Sequence, residues 1–344
     1  MNPFFKGILL CTLMTLANAA TAQDENDLVN FLTAGPRDAS KLMNAYLNPA
    51  IEGLSYGFNG GWYTTAKAHK TFGFDIGVTV NAVFVPKSRN YFNPNILGLE
   101  TVTGFSSTAP NGMAPTIIAE AHQTTYNVDA DGDGQTDGNF QGPTGVDFQE
   151  NLKINGVYAP TAQVGIGIYK NTDLKIRYMP EVKTGSSKIR LLGFGVMHDI
   201  KQHIPKMRLL PFDLSVLIAY THIQGSTGLE GEFDKPANDT RPQMIDYDMD
   251  AWLFEALISK KLAVITFYGG VGFNTIKTTS DVTGSYEIPG FPVAFKDPVS
   301  LLFKNKSARI NAGMRLSLGP VYLSGEYTLQ EYSMASIGFG VTIR

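Results

Sequence analysis

An all-β chain that closes as a transmembrane antiparallel β-barrel of twelve strands, with short helices ahead of it, is the fold class that three features of this 344-residue sequence predict. Apolar and polar residues alternate with a period of two in segment after segment beyond residue 53. The polar positions of those segments are crowded with Gly, Ser, Asn and Thr, and the links between them are short at one end and long at the other. Charged residues make up 17% of the chain, against roughly 25% in a soluble domain, so part of the surface is expected to meet something other than water.

The formal charge of -3 gives no basic field, which sets nucleic acid aside as a partner, and 43% apolar residues are too many for a disordered chain. After residue 20 no apolar run reaches the roughly 18 residues that a membrane helix needs. If a bilayer is crossed, strands cross it.

Residues 1–22 read as a signal peptide, with Lys6 as the positive start, Gly7 to Leu16 as the apolar stretch and Ala20-Thr21-Ala22 as the cleavage site. Cys11 leaves with it. The remaining chain, without cysteine, has neither disulfides nor thiolate metal sites. Residues 23–52 form a helical plug segment: Asp24 to Leu32 carries Leu28, Phe31 and Leu32 on one face and stops at Gly35-Pro36. Asp38 caps a second helix with Leu42, Met43 and Tyr46, ended by Asn48-Pro49.

Residues 53–344 form the barrel, with strands expected at 53–67, 71–84, 96–105, 160–169, 173–180, 188–198, 211–223, 245–259, 262–277, 305–318, 321–329 and 332–343. A further hairpin in 110–122 would make fourteen. The last strand sets Ala335, Ile337, Phe339, Val341 and Ile343 against Ser336, Gly338, Gly340 and Thr342. A soluble sandwich would fill its polar faces with Lys, Glu and Thr and use few glycines. Gly-rich polar faces instead suit a crowded, wet barrel interior, so the apolar faces point to lipid. The turns Lys170-Asn171-Thr172, Lys260-Lys261 and Gly319-Pro320 are short, whereas the links at about 106–159, 224–244 and 278–304 are long. That asymmetry, with Trp62, Tyr63, Tyr178, Tyr220, Trp252 and Tyr327 toward strand ends, fits the outer membrane of a diderm bacterium and a lipid bilayer as partner.

Two constellations carry chemistry. Asp129, Asp131, Asp133, Gln135 and Asp137 place oxygen ligands at alternate positions around Gly132 and Gly134, the way a short loop wraps Ca2+. It is similar to the Asp-rich loops of EF-hands and thrombospondin type 3 repeats, with Phe140 where an EF-hand has its bidentate Glu. By parity, Asp75, Lys175, Arg177, Glu255, Arg315 and Glu326 project into the lumen, as a selectivity surface or as a mutually neutralising network. Nucleotide, metalloprotease and nucleophile-elbow signatures are missing and the five histidines are scattered, so no enzyme is expected.

The leader and helices, then Asn48-Pro49-Ala50 running through Gly53-Leu54 into Tyr56-Gly57-Phe58, resemble the start of FadL-type outer-membrane transporters of hydrophobic compounds, with Ile51-Glu52 intervening before the Gly. Gly195 to Ile200 and the final Gly-x-Gly strand are similar to related barrels of Bacteroidota. The resemblance implies an N-terminal plug, here Leu28, Phe31, Leu32, Leu42 and Tyr46, and passage of a small hydrophobic or amphipathic solute. A general diffusion porin and a non-transporting barrel that presents its loops for interaction or assembly stand beside it. A plug built from 23–48 implies that deleting it raises conductance.

Overall fold

Ten strands close the sheet: β1 (Phe74–Phe84), β2 (Gly156–Gly167), β3 (Thr172–Thr184), β4 (Ser187–Asp199), β5 (Asp213–Gly228), β6 (Met244–Leu262), β7 (Ile265–Thr283), β8 (Val299–Leu318), β9 (Val321–Leu329) and β10 (Met334–Ile343). The computed structural model describes residues 28–129, 132–229, 236, 239–287 and 294–343, so the expected leader lies outside the described residues. Each strand pairs antiparallel with its sequence neighbours, and β1 closes the ring on β10 from Phe74 opposite Ile343 to Val83 opposite Met334. Closure leaves no edge of unpaired backbone for lipid to meet.

The expected twelve strands are thus ten, and the two lost ones have physical reasons. Residues 53–67 are rich in aromatic strand formers but hold no strand: helix α1 (Gly35–Phe58) runs through Pro49 to Phe58, and the extended chain beyond it lies inside the barrel. Gly61, at φ 67°, makes a bend that few residues besides glycine adopt. Residues 96–105 yield only Val102–Ser107, part of a small sheet with Thr124–Val128 and Gly138–Gln141 above the barrel. In place of a barrel hairpin, 110–122 contributes Ala114–Pro115, paired with Tyr91–Phe92.

The strands change character along their length. In the lower part of β8 the outward residues are Ala308, Ile310, Ala312, Met314, Leu316 and Leu318, while Arg309, Asn311 and Arg315 are buried within. In the upper part Val299, Leu301 and Phe303 are buried within, and Ser300, Lys304 and Lys306 face out. Along β8 the lower part is polar inside and apolar outside, and the upper part is largely the reverse, with Leu302 still facing out. From Ala308 to Leu318 the apolar stretch spans about 25 Å at the usual strand rise and tilt, the height of a lipid-facing band. Ile337 is 67% exposed, Met314 55% and Leu323 52%, which no soluble barrel would leave open to water.

Candidate functional site

The site is the inside of the barrel, because the chain before β1 fills it. In the upper storey α1 packs against an apolar wall of Val83, Val85, Val157, Ala159, Leu191, Ile223, Met249 and Ile276. A Cβ on Gly57 would come 2.6 Å from that of Ala159, so glycine at 57 sets how closely the helix approaches. Leu28, Phe31, Leu32, Leu42 and Tyr46 gather at the long-loop mouth with Tyr126, Phe140, Val282, Tyr286, Leu301 and Phe303. Phe31 meets Tyr46, Tyr126 and Phe140 edge to face. These residues pack together at the mouth, while residues 59–73 occupy the lower bore.

Asp38 does not cap a helix; it lies in the first turn of α1, which begins with Gly35-Pro36. Its buried carboxylate accepts the backbone N–H groups of Glu100, Thr101 and Val102 and the Thr101 hydroxyl, bonds of 2.8–3.1 Å that tie the helix to the first long loop. Glu52, near Arg89 and Glu331, has its carboxyl raised by burial, against the opposing pull of the Tyr332 hydroxyl. The two other long loops are clamped by Arg241, 3.1 Å from Asp239 and 3.2 Å from Asp297. The hydrogen bond from Arg241 holds the Asp239 carboxyl well below the usual carboxylate range.

In the lower storey residues 59–73 run as a strap through the lumen and touch strands on every side. Asn59 donates to Asn274 at 2.9 Å, and Trp62 stacks on Arg177 with 3.8 Å between guanidinium carbon and ring centroid. The Tyr63 hydroxyl lies 2.8 Å from Asn311 Oδ1 and 3.1 Å from Glu255 Oε1. Thr65 Oγ1 is 3.2 Å from Ser259 Oγ, and Ser215 donates to the Ala66 carbonyl. At the short-turn end the His69 backbone donates to Asp173 Oδ1, while its ring nitrogens lie 2.8 Å from Asp173 Oδ2 and 3.1 Å from Thr342 Oγ1. Phe72 then donates to Gly167 and the chain turns into β1.

All six charges expected in the lumen are buried there, and the structure sorts them into groups. Asp75, Lys175 and Arg315 line one cavity with His69 and Asp173. Arg315 stacks on Tyr322 at 3.8 Å and donates to Thr64 Oγ1 at 3.0 Å. Glu255 and Glu326 flank Arg309, at 3.5 and 3.8 Å. Arg177 stands apart, donating to the Phe58 carbonyl at 3.0 Å and to Gln163 Oε1 at 3.1 Å. The Glu255–Arg309–Glu326 cluster pairs its charges, which offsets part of the cost of burying them, and Arg177 is held by hydrogen bonds and the Trp62 ring. The cavity between strap and wall measures ≈ 20 Å³, about the room of a single water.

Trp62 and Tyr63, expected among the aromatics at strand ends, are instead buried inside the barrel, and Thr65, His69, Asp173 and Arg309 are lumen residues that sequence reasoning missed. The signal that marks them is Asn59-Gly60-Gly61, a break inside the supposed first strand. In the Asp-rich segment, Asp129 accepts N–H bonds from Gly132 at 2.7 Å and Gly134 at 2.8 Å, and Asp133 accepts one from Gln135 at 2.7 Å. The segment, including Gln135 and Asp137, joins Thr124–Val128 to Gly138–Gln141 at a hairpin tip of the cap, and Asp131 lies outside the described residues.

A family described as of unknown function, DUF6588, matches residues 1–343. The chain belongs to that family. No curated protein matches it. Among solved structures the DUF6588 chain is similar to Ail, the attachment invasion locus protein of Yersinia pestis, at 9% identity and a TM-score of 0.25 over 79% of this chain and 98% of that one. It is similar to the translocator domain of the autotransporter NalP from Neisseria meningitidis at 11% identity and 0.32, over 86% and 93%. The outer membrane protease OmpT from Escherichia coli follows at 10% and 0.27, over 80% and 97%. None of these TM-scores reaches 0.5.

Proposed function

We propose that this DUF6588 member is an exported outer-membrane barrel whose bore is filled by its own N-terminal segment, and that it anchors a folded cap of helix and long loops for protein interaction or assembly. One observation carries the reading: the strap is bonded to strands around the whole lower lumen, and the cavity left beside it admits no solute. The reading gives the chain no catalytic step. Reconstituted in planar bilayers, the full chain is expected to show no ion conductance; a steady open-channel current would contradict the reading. Deletion of 28–48 is expected to leave the bore closed, because residues 59–73 stay in place.

A second reading, a gated conduit for small hydrophobic or amphipathic compounds, is favoured by the apolar lining of the upper lumen, including Val83, Leu191, Ile223, Met249 and Ile276. It requires the strap to leave, and uptake of an apolar fluorophore into liposomes bearing the full chain would separate it from the first.

Within the cap, Asp129, Asp131, Asp133, Gln135 and Asp137 are proposed to hold one structural Ca2+ that stiffens the hairpin. What supports this is the spacing of the oxygen donors and the turn they already fold through Asp129 and Asp133. Calorimetric titration is expected to give saturable Ca2+ binding that Asp133→Asn weakens at least tenfold; an unchanged isotherm would remove the assignment.

A further inference from the structure

The outer wall of the barrel carries a polar site that plays no part in closing the lumen. Register places Phe194, Tyr220 and Trp252 in one row across β4, β5 and β6, and one step further up His222 stands opposite Asp250. The next row sets Gln224 opposite Asp248. These side chains point outward, where the lipid-facing band gives way to polar residues.

His222 Nδ1 lies 3.0 Å from Asp250 Oδ1, and His222 Nε2 lies 3.9 Å from Asp248 Oδ2. One donor atom from each of the three residues falls within 4.8 Å of the others. The carboxylates are themselves oriented: the Tyr220 hydroxyl donates to Asp250, and Gln224 Nε2 donates to Asp248 Oδ2 at 2.9 Å. Such supporting bonds are what fix ligands around an ion. In the tautomer that leaves Nδ1 without its proton, its lone pair and Asp250 Oδ1 are two acceptors 3.0 Å apart, and a cation seated against both resolves the repulsion.

An open groove adjoins the cluster on the side of Asp248. The groove, of ≈ 450 Å³, shares Gln224 and Asp248 with the cluster and is lined also by Arg190, Ser226, Asp246 and Asp281.

We propose that His222, Asp248 and Asp250 bind one divalent transition-metal cation on the outer wall, just above the aromatic row. One imidazole and two carboxylates select a zinc-, cobalt- or manganese-like ion over calcium or magnesium, which take oxygen ligands alone. Three protein ligands leave at least one coordination position for a group lying in the groove.

The test uses the full chain folded in detergent and Zn2+ alone as the probe, read by calorimetry, with Co2+ absorption as a second readout. One Zn2+ per chain is expected, at least tenfold weaker in His222→Gln and in Asp248→Asn. Asp133→Asn, in the cap hairpin, is expected to leave Zn2+ binding unchanged, which separates this site from the proposed Ca2+ turn. The visible Co2+ bands are expected to vanish in His222→Gln, whose migration on heat-modifiability gels shows that the barrel still folds. Absence of saturable Zn2+ binding, or equal binding in the wild type and both site variants, would overturn the proposal and leave His222 as a hydrogen-bond partner of Asp250.

Discussion

Trp62 lies face to face with the Arg177 guanidinium, and its indole edge runs along a wall made of Gly193 and Gly195. A Cβ at Gly195 would sit 3.0 Å from that ring and one at Gly193 3.2 Å, while a Cβ at Gly270 would sit 2.3 Å from the Tyr63 hydroxyl. These glycines are the sockets for the strap. Gly195→Val is therefore expected to push Trp62 out of register and cost about 1–3 kcal/mol of overpacking, read as a lower urea midpoint of the folded barrel. The same change at Gly325, where an added Cβ meets nothing within 4 Å, is expected to be nearly neutral. Parity alone placed Asp75, Lys175, Arg177, Glu255, Arg315 and Glu326 inside, because one strand's alternation decides which way each of its side chains points. It is silent on Trp62, Tyr63 and His69, whose partners lie 100 or more residues away on strands with no local mark of them.

Strand β8 shows what alternation does and does not encode. Its lower half reads as a lipid-facing strand, and the upper half keeps the same period with the faces largely exchanged, Leu302 alone of its outward residues staying apolar. Periodicity thus fixes the strand, while only the composition of each face says where the bilayer stops. Ten of the twelve expected strands were legible for this reason, and their upper ends ran further than expected because Val299 to Phe303 turn their apolar face to the cap. Residues 53–67 were not legible: Tyr56, Phe58, Trp62 and Tyr63 favour strands by propensity, but the lumen supplies helix and strap with tertiary partners that outweigh it. If the lower face of β10 meets lipid, Ile337→Lys costs about 2–4 kcal/mol near the bilayer midplane. Lys306→Leu, above the band, costs far less. Equal destabilisation of the two variants in lipid-vesicle refolding titrations would remove the band from where it is placed.

At the scale of the molecule, the chain enters at the long-loop mouth, passes down through the bore as helix and strap, and turns at Gly73 into the first of ten strands that enclose it. Wall and filling are one covalent unit, so the barrel cannot open without moving the segment that leads into its own first strand. The lower lumen is held by hydrogen bonds, buried charges and an apolar cluster of the strap with Met197, Leu217, Leu253 and Leu257, and the upper lumen by apolar packing. The most direct measurement of this arrangement is a cross-link. Cys11, in the expected leader, is the one cysteine of the sequence, so in a Cys11→Ser background Thr65→Cys and Ser259→Cys form a unique pair. With their hydroxyls 3.2 Å apart, mild oxidation of the folded, membrane-inserted chain is expected to join them, whereas Thr65→Cys paired with Ile258→Cys on the lipid face stays reduced. Failure of the Thr65–Ser259 pair to close, with the cysteine at 65 open to a membrane-impermeant maleimide, would show that the strap does not run through the lumen.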